Sequence, residues 1–139
     1  MFLVAEINAI ELSDDKSCIF LAGYCKSSSK HPKNVSQPIL AAVRFDQELT
    51  LISSQIFSTN HVHDQFTSIS KAKHSDNLII GSLRALHVVK YIDGAFEKLL
   101  EIENPHTGFV TDLYLLNNTL YSICKDDEYV AVTEFSKYF

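Results

Sequence analysis

The chain has no tryptophan, one methionine, three prolines and only four glycines among its 139 residues. With so little glycine, turns must be built from Asn, Asp and Ser, whose side chains bond their own backbone. The phosphate-cradling patterns G-x-G-x-x-G and G-x-x-x-x-G-K-[ST] are both missing, as is the nucleophile elbow G-x-S-x-G. The three cysteines, Cys18, Cys25 and Cys124, are odd in number and lack C-x-x-C spacing. That pattern argues for free thiols in a reducing compartment rather than a disulfide framework. Positive charge is also short: 12 Lys and Arg stand against 17 Asp and Glu, a net charge of −5. A dedicated nucleic-acid binder normally carries the opposite balance, so a nucleic-acid partner is not expected. No apolar run approaches the ~20 residues that cross a bilayer. The opening Met1-Phe2-Leu3-Val4-Ala5 is cut off by Glu6, too soon for a signal peptide. The expectation is an intracellular chain, cytoplasmic or nuclear, with no cofactor and no membrane span. The sequons Asn34-Val35-Ser36 and Asn117-Asn118-Thr119 then read as unmodified.

What the sequence does have is apolar residues, 46% of the chain, in short runs rich in Ile, Val, Leu, Phe and Tyr. Polar clusters punctuate those runs, among them Ser13-Asp14-Asp15-Lys16-Ser17, Lys73-His74-Ser75-Asp76-Asn77 and Asn117-Asn118. This is the grammar of many strands and few helices. The length suits one domain with a real core.

The runs repeat. Ile7-Asn8-Ala9-Ile10, Phe66-Thr67-Ser68-Ile69 and Val110-Thr111-Asp112-Leu113 share one pattern: apolar, two small or polar residues, apolar. After each comes a turn and a dense apolar run: Ile19 to Gly23, Leu78 to Gly81, Leu120 to Cys124. A third run follows at Leu40 to Phe45, Leu86 to Tyr91 and Tyr129 to Phe135. Units one and two add a fourth segment, Leu49 to Phe57 and Phe96 to Ile102, whereas unit three stops after its third. Within Phe96 to Ile102 the apolar spacing is helical, but the segment is short for a helix, and a strand is expected.

The units begin at Ile7, Phe66 and Val110, 59 and 44 residues apart. The second interval falls in the range of a β-propeller blade, four strands in about 40–45 residues. The first is longer because the connection from Lys26 to Pro38 is swollen. The expected fold is therefore all-β: antiparallel four-stranded blades of a β-propeller, a partial ring of just under three blades. The chain would form one segment over 1–139, with blade-like units at about 5–57, 66–102 and 109–139. An ordinary β-sandwich with chance self-similarity is the alternative. A closed propeller needs four to eight blades, so an arc of three leaves apolar faces and strand edges to be covered. Met1-Phe2-Leu3-Val4 is a candidate for the missing outer strand of a last blade.

His106-Thr107-Gly108-Phe109-Val110-Thr111-Asp112-Leu113 resembles the opening of a WD-repeat blade, where a His precedes the innermost strand. Leu120-Tyr121-Ser122, Asp126-Asp127 and Val130-Ala131-Val132 fall where that family has its second strand, acidic turn and third strand. The Trp-Asp that ends strand three in the family is Thr133-Glu134 here, Lys90-Tyr91 in unit two and Arg44-Phe45 in unit one. Units one and two also lack a clean Gly-His, so it stays open whether the family's His–Ser–Asp hydrogen-bond network is carried over. The resemblance implies a non-catalytic scaffold that binds a protein partner inside a larger assembly, and the short blade count leaves three readings: a piece of a longer propeller, two arcs pairing into a ring, or a partner chain supplying the missing blades.

In such a fold the strand 2–3 and strand 4–1 connections emerge on one face, and the candidate partner-binding residues lie there. They are Lys26, Lys30, His31 and Lys33 in the swollen, locally basic connection, His61, His63 and Asp64, and then His106, Asp126 and Asp127. Lys26, Lys30 and Lys33 also offer a weaker reading as a lipid or nucleic-acid contact. His61-Val62-His63-Asp64 is the most chemical of the clusters. On an extended segment both imidazoles would share one side, and the Asp would complete a divalent site for a metal-assisted hydrolase. That is the alternative function, although no further ligand stands at a diagnostic distance. His87, inside an apolar run, is expected to be partly buried and satisfied.

Overall fold

The computed structural model describes residues 3–27, 36–59, 61 and 63–135. Eleven strands form three antiparallel sheets, each a meander in chain order. The first holds β1 (Leu3–Leu12), β2 (Cys18–Ser27), β3 (Ser36–Phe45) and β4 (Leu51–Ser58). The second holds β5 (Ser68–Lys71), β6 (Asn77–Gly81), β7 (Ala85–Ile92) and β8 (Ala95–Glu103). The third has three strands, β9 (Asp112–Leu116), β10 (Thr119–Ile123) and β11 (Ala131–Glu134). Among the described residues there is no helix and no closed sheet. The segment with helical spacing is strand β8, because its register with β7 overrides three apolar positions.

Two cores lie between consecutive sheets. Phe20, Ala22, Leu40 and Ala42 of the first sheet meet Leu78, Ile80, Val89 and Tyr91 of the second. The alternate residues of the second sheet, Ile79, Leu86 and Val88, meet Val110, Leu113, Leu120 and Phe135. The middle sheet is thus buried on both faces, which is why β6 and β7 read as continuous apolar runs rather than alternating ones. Each fully buried Phe or Leu side chain contributes about 1.5–3 kcal/mol relative to exposure. Cys18, Cys25 and Cys124 are free and buried, acting as small hydrophobes.

The inner strands touch in sequence order, β1 with β5 and β5 with β9. Asn8 Nδ2 donates to the Phe66 carbonyl at 3.0 Å, and Thr67 Oγ1 donates to the Val110 carbonyl at 2.6 Å. Thr67→Val keeps the shape and removes the second bond, at an expected cost of about 1 kcal/mol. Calorimetry should register a midpoint drop of about 3–4 °C; an unchanged midpoint would mean that the bond adds nothing to the junction.

Three sequence expectations are corrected. Leu3 and Val4 pair with Ser27 and Lys26 inside the first sheet, so they are not free to close a last one. Pairing continues there because Gly23 faces a β-bulge between Ile7 and Ala9; a Cβ at Gly23 would run into the Glu6 carbonyl oxygen. Leu49 is not in a strand but sits in the left-handed region (φ 63°), in a turn where Asp46 Oδ1 accepts from the Glu48 and Thr50 amides. The swollen connection is shorter than expected, since Lys26, Gln37 and Pro38 are strand residues.

Candidate functional site

Four connections meet on one side of the molecule, tied by side chains that bond backbone. Asp64, completely buried, accepts from the amides of Gln65 (2.7 Å) and Leu83 (2.9 Å) through Oδ1 and of Arg84 (3.3 Å) through Oδ2. It thereby fixes the β4–β5 connection onto the β6–β7 turn. Asn104 Nδ2 donates to the carbonyls of Leu83 and Gly108, each at 2.8 Å, and its Oδ1 accepts from the His106 amide. The β8–β9 connection is clipped to the same turn.

The third tie is a chain of buried side chains. His106 Nδ1 lies 2.8 Å from Asp127 Oδ2, and its Nε2 lies 3.0 Å from Ser122 Oγ. An ionised Asp127 can only accept, so Nδ1–H donates to it, and the Ser122 hydroxyl can turn its hydrogen toward Nε2. Asp127 also takes the Thr107 amide at 3.1 Å and the Thr107 hydroxyl at 2.5 Å. These bonds, the Thr107 hydroxyl foremost, hold its carboxyl below the usual carboxylate range. Tyr129 stacks on the imidazole (centroids 5.3 Å apart, 17° between planes) and donates to the Pro105 carbonyl.

An Asp–His–Ser chain at these distances is the arrangement that activates a serine nucleophile. Here Ser122 is only 1% exposed and its hydroxyl points at the imidazole from within the sheet. No substrate carbonyl can approach it. What the chain does is join the β8–β9 connection to β10 and to the β10–β11 connection.

The His61, His63 and Asp64 cluster does not converge. His63 adopts the left-handed conformation (φ 60°), which breaks the extended geometry that would align two imidazoles. Its side chain is exposed, while its amide donates to the Ser36 carbonyl at 2.7 Å. Asp64 faces inward to the turn amides, and His61 Nε2 instead lies 3.3 Å from Glu101 Oε1. Among the described residues, no group of three His, Cys, Asp or Glu side chains could hold a metal ion.

Glu101 and His87 were not in the expected site. His87 is completely buried, edge-on to Phe66, with Nδ1 3.2 Å from Glu101 Oε1. Neither ring nitrogen makes a hydrogen bond of acceptable geometry, so the expectation of a partly buried, satisfied histidine fails. Desolvation lowers its pKa from 6.5 to about 4, against the opposing pull of Glu101. Burial alone would raise Glu101, but the Lys98 hydrogen bond and the neighbouring His87 and His61 bring it below its ordinary value.

Of the remaining expected residues, Lys26 lies 5.7 Å from the centre of the Tyr24 ring and Asp126 is exposed. Lys30, His31 and Lys33 lie outside the described residues. Asn8, Thr67 and Thr111, which hold the same place in the three repeats, line one cleft of about 340 Å³ with Phe109, Lys125 and Asp126. Exposed apolar side chains gather on the outer face of the third sheet, where Tyr114 (63% exposed), Leu116, Tyr121, Ile123 and Val132 (60%) share one side.

No protein-family model matches the chain, and no curated protein matches it either.

Proposed function

We propose that this chain is a non-catalytic protein–protein interaction scaffold that works inside the cell as a WD-repeat-like β-propeller segment of just under three blades. The observation that carries the reading is the outer face of the third sheet. Two tyrosines and three aliphatic residues stand exposed there on strands whose opposite side is core. Tyrosines are enriched at protein interfaces, and a contiguous apolar patch on a folded chain marks a contact surface.

Three further features support the blade reading. The sheets follow one another as meanders with their inner strands side by side. Equivalent residues of the three repeats line a single cleft. His106, Ser122 and Asp127 make the kind of hydrogen-bond network that the resemblance calls for. On this reading the polar connections, with the exposed His63 and Asp126, are a second place for a partner.

An environment-sensitive apolar dye, with light scattering alongside, tests the contact face. The wild-type chain is expected either to associate or to bind dye, and Tyr114→Asp/Tyr121→Asp to do neither. Both tyrosines are exposed but stand directly opposite each other across β9 and β10, so the variant should stay folded with a midpoint a few degrees lower. A wild-type chain that is monomeric and binds no dye would overturn the scaffold reading.

A further inference from the structure

The two sheet-to-sheet junctions are built alike, and the series they form has an open position at each end. In the first junction Asn8 donates to the carbonyl of Phe66; in the second Thr67 donates to the carbonyl of Val110. Asn8 and Thr67 each stand just after the apolar residue that opens a repeat, and each acceptor is the opening apolar residue of the next repeat. Both acceptors are completely buried. The next donor in this series is Thr111, exposed, whose Oγ1 accepts from the Lys125 amide at 2.8 Å. Its hydroxyl hydrogen therefore remains available to an acceptor. The opening residue of the first repeat is Ile7, paired with Gly23 in the first sheet and 47% exposed where its counterparts are fully covered.

The flanking surfaces fit the same series. Beside Thr111 lies the outer face of the third sheet with Tyr114, Tyr121 and Val132. Beside Ile7 lies the outer face of the first sheet, where Ile10 and Leu12 stand exposed opposite Leu21 and Ile19. One is a trailing face and the other a leading face of the same stack.

Resting on the blade reading above, we infer that a second copy of this chain covers these faces: the third sheet of each copy packs on the first sheet of the other, and Thr111 donates to the Ile7 carbonyl of the second copy. The contact joins two different patches, so it is head-to-tail, and it closes with two copies if each spans half a ring. Six sheets fall within the range that closes a propeller.

The test uses the full chain. Light scattering after size exclusion should give about twice 15.7 kDa. Thr111→Cys protein mixed with Ile7→Cys protein under mild oxidation should yield a disulfide-linked dimer, at least ten-fold more than either protein alone. Cross-linking by Thr111→Cys alone would mean like faces meet, and would overturn the inference. A monomer that binds apolar dye through Tyr114 and Tyr121 would overturn it while leaving the scaffold reading intact, with a different chain as partner. A monomer that binds no dye would remove both.

Discussion

His106→Ala is expected to lower the melting midpoint by about 6–12 °C, the counterpart of about 2–3 kcal/mol in a chain of this length. The imidazole is the central member of a chain of three side chains, and its loss strands both neighbours. Ser122 Oγ is then buried in the sheet without a partner, and the Asp127 carboxylate loses its imidazole donor. A stranded buried polar group costs about 1–3 kcal/mol, and the void left under Tyr129 adds a packing loss. Ser122→Ala should cost less, about 1 kcal/mol, because removing the end of the chain leaves only one valence of the imidazole open. The order of the two variants is therefore diagnostic. Hydrogen exchange would locate the damage: protection should fall at 106–108 and 124–130, while β6 and β7 keep theirs. Equal loss across all three sheets would mean that His106 supports the fold as a whole rather than the meeting of two connections.

That network also marks how far the sequence could be read. His106 and Asp127 stood out because a His just before an apolar strand and a double Asp in a turn are local patterns. Ser122 is pointed to only by the family resemblance, since a small polar residue inside a strand is common, and Thr107 by nothing local, since its partner lies in another connection. The strands were legible from their apolar runs and Asn/Asp/Ser punctuation. Even β8 was, once its length outweighed its helical spacing. The role of Asp64 is not legible in the sequence, for a physical reason. Beside two histidines a carboxylate looks like a ligand, but the left-handed turn at His63 directs the chain so that Asp64 meets the amides of a turn about twenty residues away. Nothing local encodes that turn's position. The same holds for Leu49, whose conformation is set by the Asp46 carboxylate capping two later amides.

His87 was the least legible residue, and it sets the second large effect, a dependence of stability on pH. Its folded-state pKa of about 4 lies below the 6.5 of an exposed histidine, chiefly because the ring is buried without a hydrogen bond. Between those values the unfolded chain binds the proton and the folded chain does not. Stability is therefore full above about 6.5 and is lost as the pH falls toward 4, by about 3 kcal/mol in all. The groups facing the ring divide in sign: Glu101 and Asp64 favour its protonation, whereas Lys98 and His61 oppose it. Glu101 and Asp127 sit below the ordinary carboxylate range, and Asp15 is held at about 2 by hydrogen bonds from Ser17, so their contributions fall mostly at more acidic pH. Comparing urea unfolding of wild type and His87→Leu at pH 7 and pH 4.5 isolates the histidine. The wild type should lose most of the 3 kcal/mol over that interval, and the variant should lose much less. Parallel losses in the two proteins would assign the dependence to the carboxylates. A variant more stable than wild type even at pH 7 would show what the buried ring costs: an apolar side chain satisfies this site better than an imidazole whose nitrogens make no well-formed hydrogen bond.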